Sequence, residues 1–319
     1  MRVSKRIAAA LALTAMWLTA AQAQTYPSRT VTVVVPIAAG GAVDTTGRIF
    51  AEQLQARLGQ SFVVENRTGA GAVIGTSYVA KAPPDGYTLL LMESSAPLAK
   101  WIYKTPPFDL MRDFTPIARV VANPLVLFAN ASFPAKDLKE FVAYAKENPG
   151  KVSAGVSGMS HQLTAHMLNS AAGVQITPVA YRGTAPAVND LLSGTIPLLW
   201  STPVGLMQFV ENGKLRALAV STPKRVSLLP DVPALSEQFP GLYMEAWLGI
   251  AGPAGLPDDV TAKLGQAIRE IAAAPEVRKR VADTAQNLEY LPAPEFRERL
   301  LADQERLGSV VRDAGIQPN

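Results

Sequence analysis

The sequence contains no cysteine, which excludes disulfides and thiolate metal sites alike. Histidine is almost as scarce. The two present, His161 and His166, stand five residues apart, a spacing that fits neither a helical HExxH zinc pair nor any Cys/His ligand set. Ser157 lies in "GVSGM", which is not the Gly-x-Ser-x-Gly turn that exposes a nucleophile. Lacking partners that would make them a base or a ligand, His161 and His166 are assigned to helix surface or partly buried positions. Hydrolytic and metal-dependent chemistry has no residues to run on, and the chain is expected not to be an enzyme.

Long apolar runs are lacking as well, with one exception at residues 7–21. Arg2, Lys5 and Arg6 precede that run, and "AQA" at 21–23 has the small-x-small form of a signal-peptidase site. At roughly 15 residues it falls short of the about 20 that a spanning helix needs. Residues 1–23 are therefore read as a signal peptide cleaved after about Ala23, rather than as an uncleaved anchor. No later segment approaches spanning length, so the mature chain is expected to be soluble and exported. A marked excess of charge of one sign is missing too. The leader holds three of the 30 basic residues and none of the 26 acidic ones, leaving 27 against 26 and a net charge of +1. No dense Lys/Arg cluster appears, which argues against nucleic-acid binding. The remaining 296 residues must gain stability from apolar burial alone, and two domains are the default at that length.

What is present is an α/β alternation. Strands are expected near 30–36, 61–65, 87–92, 124–129, 175–180, 196–200, 215–220 and 246–251. Between them run helical patterns such as Leu138, Phe141, Val142 and Ala145. Asp44 or Thr45, Ser160 and Thr184 are expected N-caps; Asn148-Pro149-Gly150 and Gly213 are expected stops. Near-continuous apolar strands imply largely parallel sheets covered on both faces. From about Pro257 the pattern is helical to the end, with one break near 288–294. The strands are too many for one comfortable sheet, so two α/β lobes are expected. The extended segments at 113–124 and 228–247 would link them. That places residues 24–121 and 245–319 in a discontinuous first lobe and 122–244 in a second, with a ligand cleft between facing strand-end loops.

Two glycine-bearing stretches invite a nucleotide reading. In "VVVPIAAGGAVDTTGRI" (33–49), Gly47 is followed by Arg48 and Gly40–Gly41 are adjacent, so neither a Walker A loop nor a G-x-G-x-x-G turn is formed. An anion held there is not expected to be a nucleotide phosphate. "SFVVENRTGAGAVIG" places Gly69, Gly71 and Gly75 after a strand, with Glu93 beyond the next one. The third glycine falls one residue late for a dinucleotide site, and a tight turn opening the second helix is the simpler reading. An exported NAD(P)-dependent oxidoreductase built on that loop remains the alternative.

Six motifs taken in order, "VVVPIAAGGAVDTTGRI", "VVENRTGAGAVIGT", "APPDGYTLLL", "AYRGTAPAVNDLLSG", "GKLRALAVSTPKRVSLLPDVPALSE" and "AWLGIAGPAGLP", resemble the Bug (TctC-like) solute-binding proteins of tripartite tricarboxylate transporters. The resemblance covers essentially the whole mature chain. It implies a periplasmic protein of type II binding-protein fold whose two α/β lobes close over a small carboxylate. It implies delivery to membrane permease subunits without a cofactor. A ligand-presenting role toward a membrane sensor kinase would use the same pocket.

The opening loop suits such a ligand, because Gly40, Gly41 and Ala42, with Ala38 before them, allow main-chain N–H groups to approach carboxylate oxygens. Asp44 matches the family's acid here and either caps the helix or contacts ligand. Ser94 and Ser95 match a Ser/Gly-rich loop, while Glu93 departs from that pattern and is read as turned away. Across the cleft the resemblance implicates Ser157, Ser160, Tyr181, Gly183, Thr184 and Ala185. Arg182 is either a charge partner or a solvated turn residue. Trp200 and Trp247 would supply aromatic faces or ordinary packing. Relatives commonly carry Asp where Ser201 stands, and its absence favours an acid without a charged amino centre. Gln162 stands where relatives usually carry His.

Overall fold

A computed structural model of the chain describes residues 26–313 apart from Gly158, Arg182, Val204, Ser227 and Ala285, so the leader and Arg182 lie outside the described residues. The β-branched run VTVVV forms β1 (Val31–Val35), flanked in parallel by β2 (Phe62–Asn66) and β3 (Thr88–Glu93). The first sheet continues through β10 (Glu245–Pro253), β4 (Phe114–Pro124) and β11 (Leu288–Pro292), all joined antiparallel. The second sheet has the order β7-β6-β8-β5-β9, built from β5 (Val126–Asn130), β6 (Val152–Val156), β7 (Ile176–Ala180), β8 (Leu198–Ser201) and β9 (Leu215–Val220).

These sheets are mixed rather than largely parallel. The β6–β7 and β6–β8 pairs are parallel, but β5 runs antiparallel to both β8 and β9. In each sheet the reversal begins with the strand that enters directly from the other sheet, β5 and β10, and β11 then follows β10 in the same direction through two helices. The segment 113–124, expected as a linker, is largely strand β4. Its two prolines and Arg119 disguise a run in which Ile117, Ala118, Val120 and Val121 are fully buried. Buried Arg119 is tolerated because Glu245 and Glu289 both accept from its guanidinium. The break near 288–294 is the edge strand β11. Strand β6 (VSAGV) is absent from the expected strands because its small residues carry little strand signal.

Helices cover both faces of each sheet. Against the first sheet, α1 (Ala42–Leu58), α9 (Asp258–Ala273) and α10 (Pro275–Asp283) bury Phe50, Leu54, Leu264, Ile268 and Val277 on one side. On the other lie α2 (Val73–Ala80), α3 (Ala99–Ile102) and the first half of α11 (Ala293–Asp313), with Phe296 and Leu300 packed near Trp247. In the second sheet, α4 (Leu138–Glu147) and α5 (Met159–Ala172) pack around Phe141, Leu163 and Trp200. There α6 (Thr184–Ser193) buries Ala187 and Leu191 against Phe128 and Leu199. The short helices α7 (Met207–Glu211) and α8 (Leu235–Gln238) flank β9 in the chain. Helix α11 serves both cores, since Leu307 and Val311 belong with Trp200 and Phe141. Among the described residues no helix is long and apolar enough to cross a membrane.

The chain passes between sheets twice. Only Leu125 separates β4 from β5. The return runs from β9 through Ser221 to Met244 and β10, and backbone bonds Ser221 N to Leu125 O (2.7 Å) and Met244 N to Ser221 O (2.7 Å) tie the two passages together.

Candidate functional site

The C-terminal ends of β1, β3 and β6 converge on a cavity of ≈ 520 Å³ between the two sheets. Such strand ends, meeting helix starts, are the usual ligand position in open α/β folds. From the first sheet the walls are Ile37 after β1, the turn Ala70–Ala72 before α2, and Glu93, Ser94 and Ser95 at the end of β3. Leu98, Ile102, Tyr103 and Phe108 form an apolar side. Ser157, Ser160 and His161 face them from the second sheet.

The turn before α2 holds four consecutive residues at positive φ: Gly69 (129°), Ala70 (46°), Gly71 (61°) and Ala72 (76°). For the two alanines this left-handed backbone costs about 1–2 kcal/mol each. The turn is locked by bonds from Thr76 Oγ1 to the Ala72 carbonyl (2.8 Å) and from the Tyr103 hydroxyl to the Ala70 carbonyl (3.2 Å). A Cβ at Gly75 would stand 2.6 Å from the Arg67 carbonyl oxygen and 2.9 Å from Pro36 Cβ, so this glycine lets α2 press against the chain leaving β1. The Gly69–Gly75 pattern thus serves a tight turn and a close helix contact.

Three helix starts, among them that of α2 in the cavity wall, are left open. No side chain caps α1, α2 or α6, whose N-caps are Gly41, Ala72 and Gly183, whereas Asp137 caps α4 by accepting the Glu140 N–H at 2.8 Å. The expected caps Thr45 and Thr184 lie inside their helices. Uncapped first-turn N–H groups combine free donors with a positive dipole end.

Asp44 is buried and fully engaged. Its carboxylate accepts the Gly40 N–H (2.9 Å), Arg48 Nε (3.0 Å) and Asn66 Nδ2 (2.8 Å), while Asn66 also donates to the Ile37 carbonyl (3.1 Å). Burial would raise its pKa, but the bonds from Arg48, Gly40 and Asn66 outweigh that and hold it below the ordinary carboxylate range. Asp44 therefore holds the 37–40 loop in shape.

Two ionisable groups line the cavity itself. Glu93, half-buried at the end of β3, accepts a hydrogen bond from Ser95 Oγ; burial pushes its carboxyl above the usual range, and the serine bond only partly opposes this. His161, in the first turn of α5, has both ring nitrogens buried with no partner among the described residues, and burial lowers its pKa to about 4. Among the described residues no cluster could hold a metal ion.

The profile of the "Tripartite tricarboxylate transporter family receptor" matches residues 46–316. The chain belongs to this receptor family. A Pseudomonas protein encoded in the tcbD–tcbE intergenic region is 36% identical over 272 residues, covering 84% of this chain and 81% of the relative. Protein BugT of Bordetella pertussis is 34% identical over 303 residues, 92% of each chain. Among solved structures, periplasmic binding protein BugD superposes with a TM-score of 0.76 at 34% identity, covering 92% of this chain and 100% of that one. An R. palustris protein solved with adipate gives 0.78 at 30% identity and the same coverage. MatC from Rhodopseudomonas palustris, with bound malate, gives 0.73 at 31%, covering 90% and 100%. The family consists of two-lobed solute-binding proteins that serve transport, not enzymes.

In this receptor, Ser94, Ser95, Ser157 and Ser160 line the cavity. Thr184 adjoins it, its hydroxyl 3.4 Å from that of Ser157. Ala38, Gly40 and Gly41 are exposed in the loop that continues from Ile37; Ala42, half-buried, begins α1. Gly183 is half-buried and Ala185 exposed at the start of α6. The Tyr181 hydroxyl is turned to α6, donating to Asp190 at 2.7 Å. Trp200 and Ser201 are buried in the second lobe, with Trp200 in the core beside Phe141 and not at the cavity wall. Trp247 packs edge-on against Phe296 and donates to Asp303 at 3.2 Å. Glu93 faces the cavity instead of pointing away. Sequence reasoning does not find the walls formed by Glu93, His161 and the Ala70–Ala72 turn. The glycine spacing of that turn is the one signal that could have located it.

Proposed function

We propose that this chain is a periplasmic solute-binding protein that captures a small mono- or dicarboxylate between two lobes, residues 24–121 with 245–319 and residues 122–244. It then delivers the ligand to the membrane permease of a tripartite tricarboxylate transporter. The observation that carries this reading is the cavity between the sheets, walled by serine hydroxyls and by the uncapped start of α2, with Thr184 at the uncapped start of α6 beside Ser157. Carboxylate oxygens accept well from such N–H groups. Gly40, Gly41, Ala42, Ser94, Ser95, Ser157, Ser160 and Thr184 are the proposed contacts. The adipate and malate held by two structural neighbours support the ligand class. The apolar wall of Leu98, Ile102 and Phe108 suits a methylene chain or a ring.

Capture proceeds by closure, because a ligand shifts the open–closed balance only through its different affinity for the two forms. Calorimetry and thermal melting with a panel of aliphatic and aromatic acids test the reading. At least one acid is expected to bind and to raise the melting temperature by mass action. Silence across the whole panel would overturn it.

A further inference from the structure

Glu93 ends β3 at the cavity wall, and its surroundings decide which form its carboxyl takes there. Oε1 accepts from Ser95 Oγ, while Oε2 has no partner among the described residues. No lysine or arginine is among the described residues that line the cavity. The ionisable groups on the elements packed around Glu93 are engaged elsewhere or uncharged. On β10, Glu245 lies between Arg119 and Arg299. On α2, Tyr78 lies under the Arg67 guanidinium, 3.6 Å from its ring centroid. Beyond β1, Asp44 is paired with Arg48. Lys100 of α3 stands over the Trp101 ring at 5.2 Å, and the Tyr103 hydroxyl donates to the Ala70 carbonyl. From the second lobe His161 is neutral, with both ring nitrogens buried. Burial therefore acts on Glu93 with no cation to oppose it, and favours the uncharged carboxyl.

A carboxylic acid donates as well as accepts. With Ser95 Oγ on Oε1, the proton belongs on Oε2, the oxygen left for the cavity. We propose that Glu93 holds a ligand carboxylate as an acid–carboxylate pair, one proton lying between its Oε2 and a ligand oxygen. The O–H···O⁻ bond so formed is charge-assisted and stronger than a neutral one. Two carboxyl groups in one site resist carrying two charges, so the pair keeps its proton and titrates as a unit. Where Glu93 is ionised in the free protein, that proton is taken up from solvent on binding. Affinity must then fall by about tenfold per pH unit above the point at which free Glu93 ionises. The inference rests on the carboxylate-binding reading and deepens it, by naming what grips the anion at a wall with no described side-chain cation.

The test is calorimetric titration of the mature chain with succinate, adipate, malate and benzoate between pH 6 and pH 9. For an acid that binds, the wild-type association constant is expected to fall tenfold or more across that range. On the falling limb, binding enthalpies in phosphate and in Tris should differ by the heat of drawing up to one proton from the buffer. Glu93→Gln offers an amide N–H where the acid offered O–H, and it cannot ionise. It is expected to bind the same acid, to lose both the pH dependence and the buffer difference, and to bind more tightly than the wild type at pH 9. Glu93→Ser, a smaller donor that does not titrate, should likewise bind without pH dependence; thermal melting shows that each variant is folded. Affinity that stays flat with pH in the wild type would overturn the inference and leave carboxylate capture standing. An undiminished fall in folded Glu93→Gln and Glu93→Ser would overturn it equally, since the proton would then sit elsewhere. If none of the four acids binds at any pH, the carboxylate reading fails and takes the inference with it.

Discussion

The Leu125 N–H donates to Ser221 Oγ at 2.9 Å, and the Ser221 N–H donates back to the Leu125 carbonyl at 2.7 Å. Ser221 Oγ in turn donates to the Met244 carbonyl. One fully buried serine thus clasps both passages of the chain between the lobes. Ser221→Ala removes an acceptor and a donor from a buried node, and a cost of roughly 1–3 kcal/mol is expected. Denaturant unfolding measures it. An alteration in ligand affinity beyond the loss of stability would show that the clasp also sets the open–closed balance.

His161 governs acid sensitivity. Its folded pKa of about 4 lies below the ordinary 6.5, so between those values the unfolded chain binds a proton that the folded chain refuses. Stability therefore falls as pH drops from 6.5 toward 4, by up to about 3 kcal/mol at about 1.4 kcal/mol per pKa unit. His161→Leu is expected to flatten the fall in melting temperature of the unliganded protein across that window. An unchanged slope would count against the burial of the ring.

Asp44 acts in the opposite sense. Its depressed pKa means that its contribution is present above the unfolded value near 3.9 and is lost as pH falls through the folded one. Asp44→Asn keeps the shape but weakens the bonds to Gly40 and Arg48. The expected loss is about 1–3 kcal/mol at pH 7. Affinity for ligand should fall as well, because the 37–40 loop is no longer held. Unfolding curves and titrations on the same sample separate the two effects.

Glu245 is buried between Arg119 and Arg299, accepting from Arg299 Nη2 at 2.7 Å and from Arg119 Nη1 at 3.5 Å. Removing it by Glu245→Ala strands Arg119 in the first lobe's core with Glu289 as its remaining ion partner. A loss of roughly 3–5 kcal/mol is expected, and Glu245→Gln should lose less. Chemical denaturation distinguishes the two variants.

The legible parts of the fold are those with a regular pattern and ordinary chemistry. Strand β1 and the Ser94–Ser95 loop announce themselves through a β-branched run and small polar residues after it. Strand β4 does not, because a buried arginine resembles a linker charge until its two carboxylate partners are seen, one of them 170 residues away. Glu93 and His161 escape for a related reason. Whether a side chain at a strand end or in a first helical turn faces a cleft depends on how the lobes meet, which lies beyond local periodicity. Trp200 shows the converse, since an aromatic beside a site loop is here consumed by the second lobe's core.

Helix α11 carries a consequence for biogenesis. Phe296 and Leu300 complete one core and Leu307 and Val311 the other, yet all four leave the ribosome after nearly everything they cover. Neither half can seal while the nascent chain is still growing. An excised piece spanning 122–244 should consequently behave as a loosened, sticky intermediate, and supplying residues 293–313 as a separate peptide should tighten it.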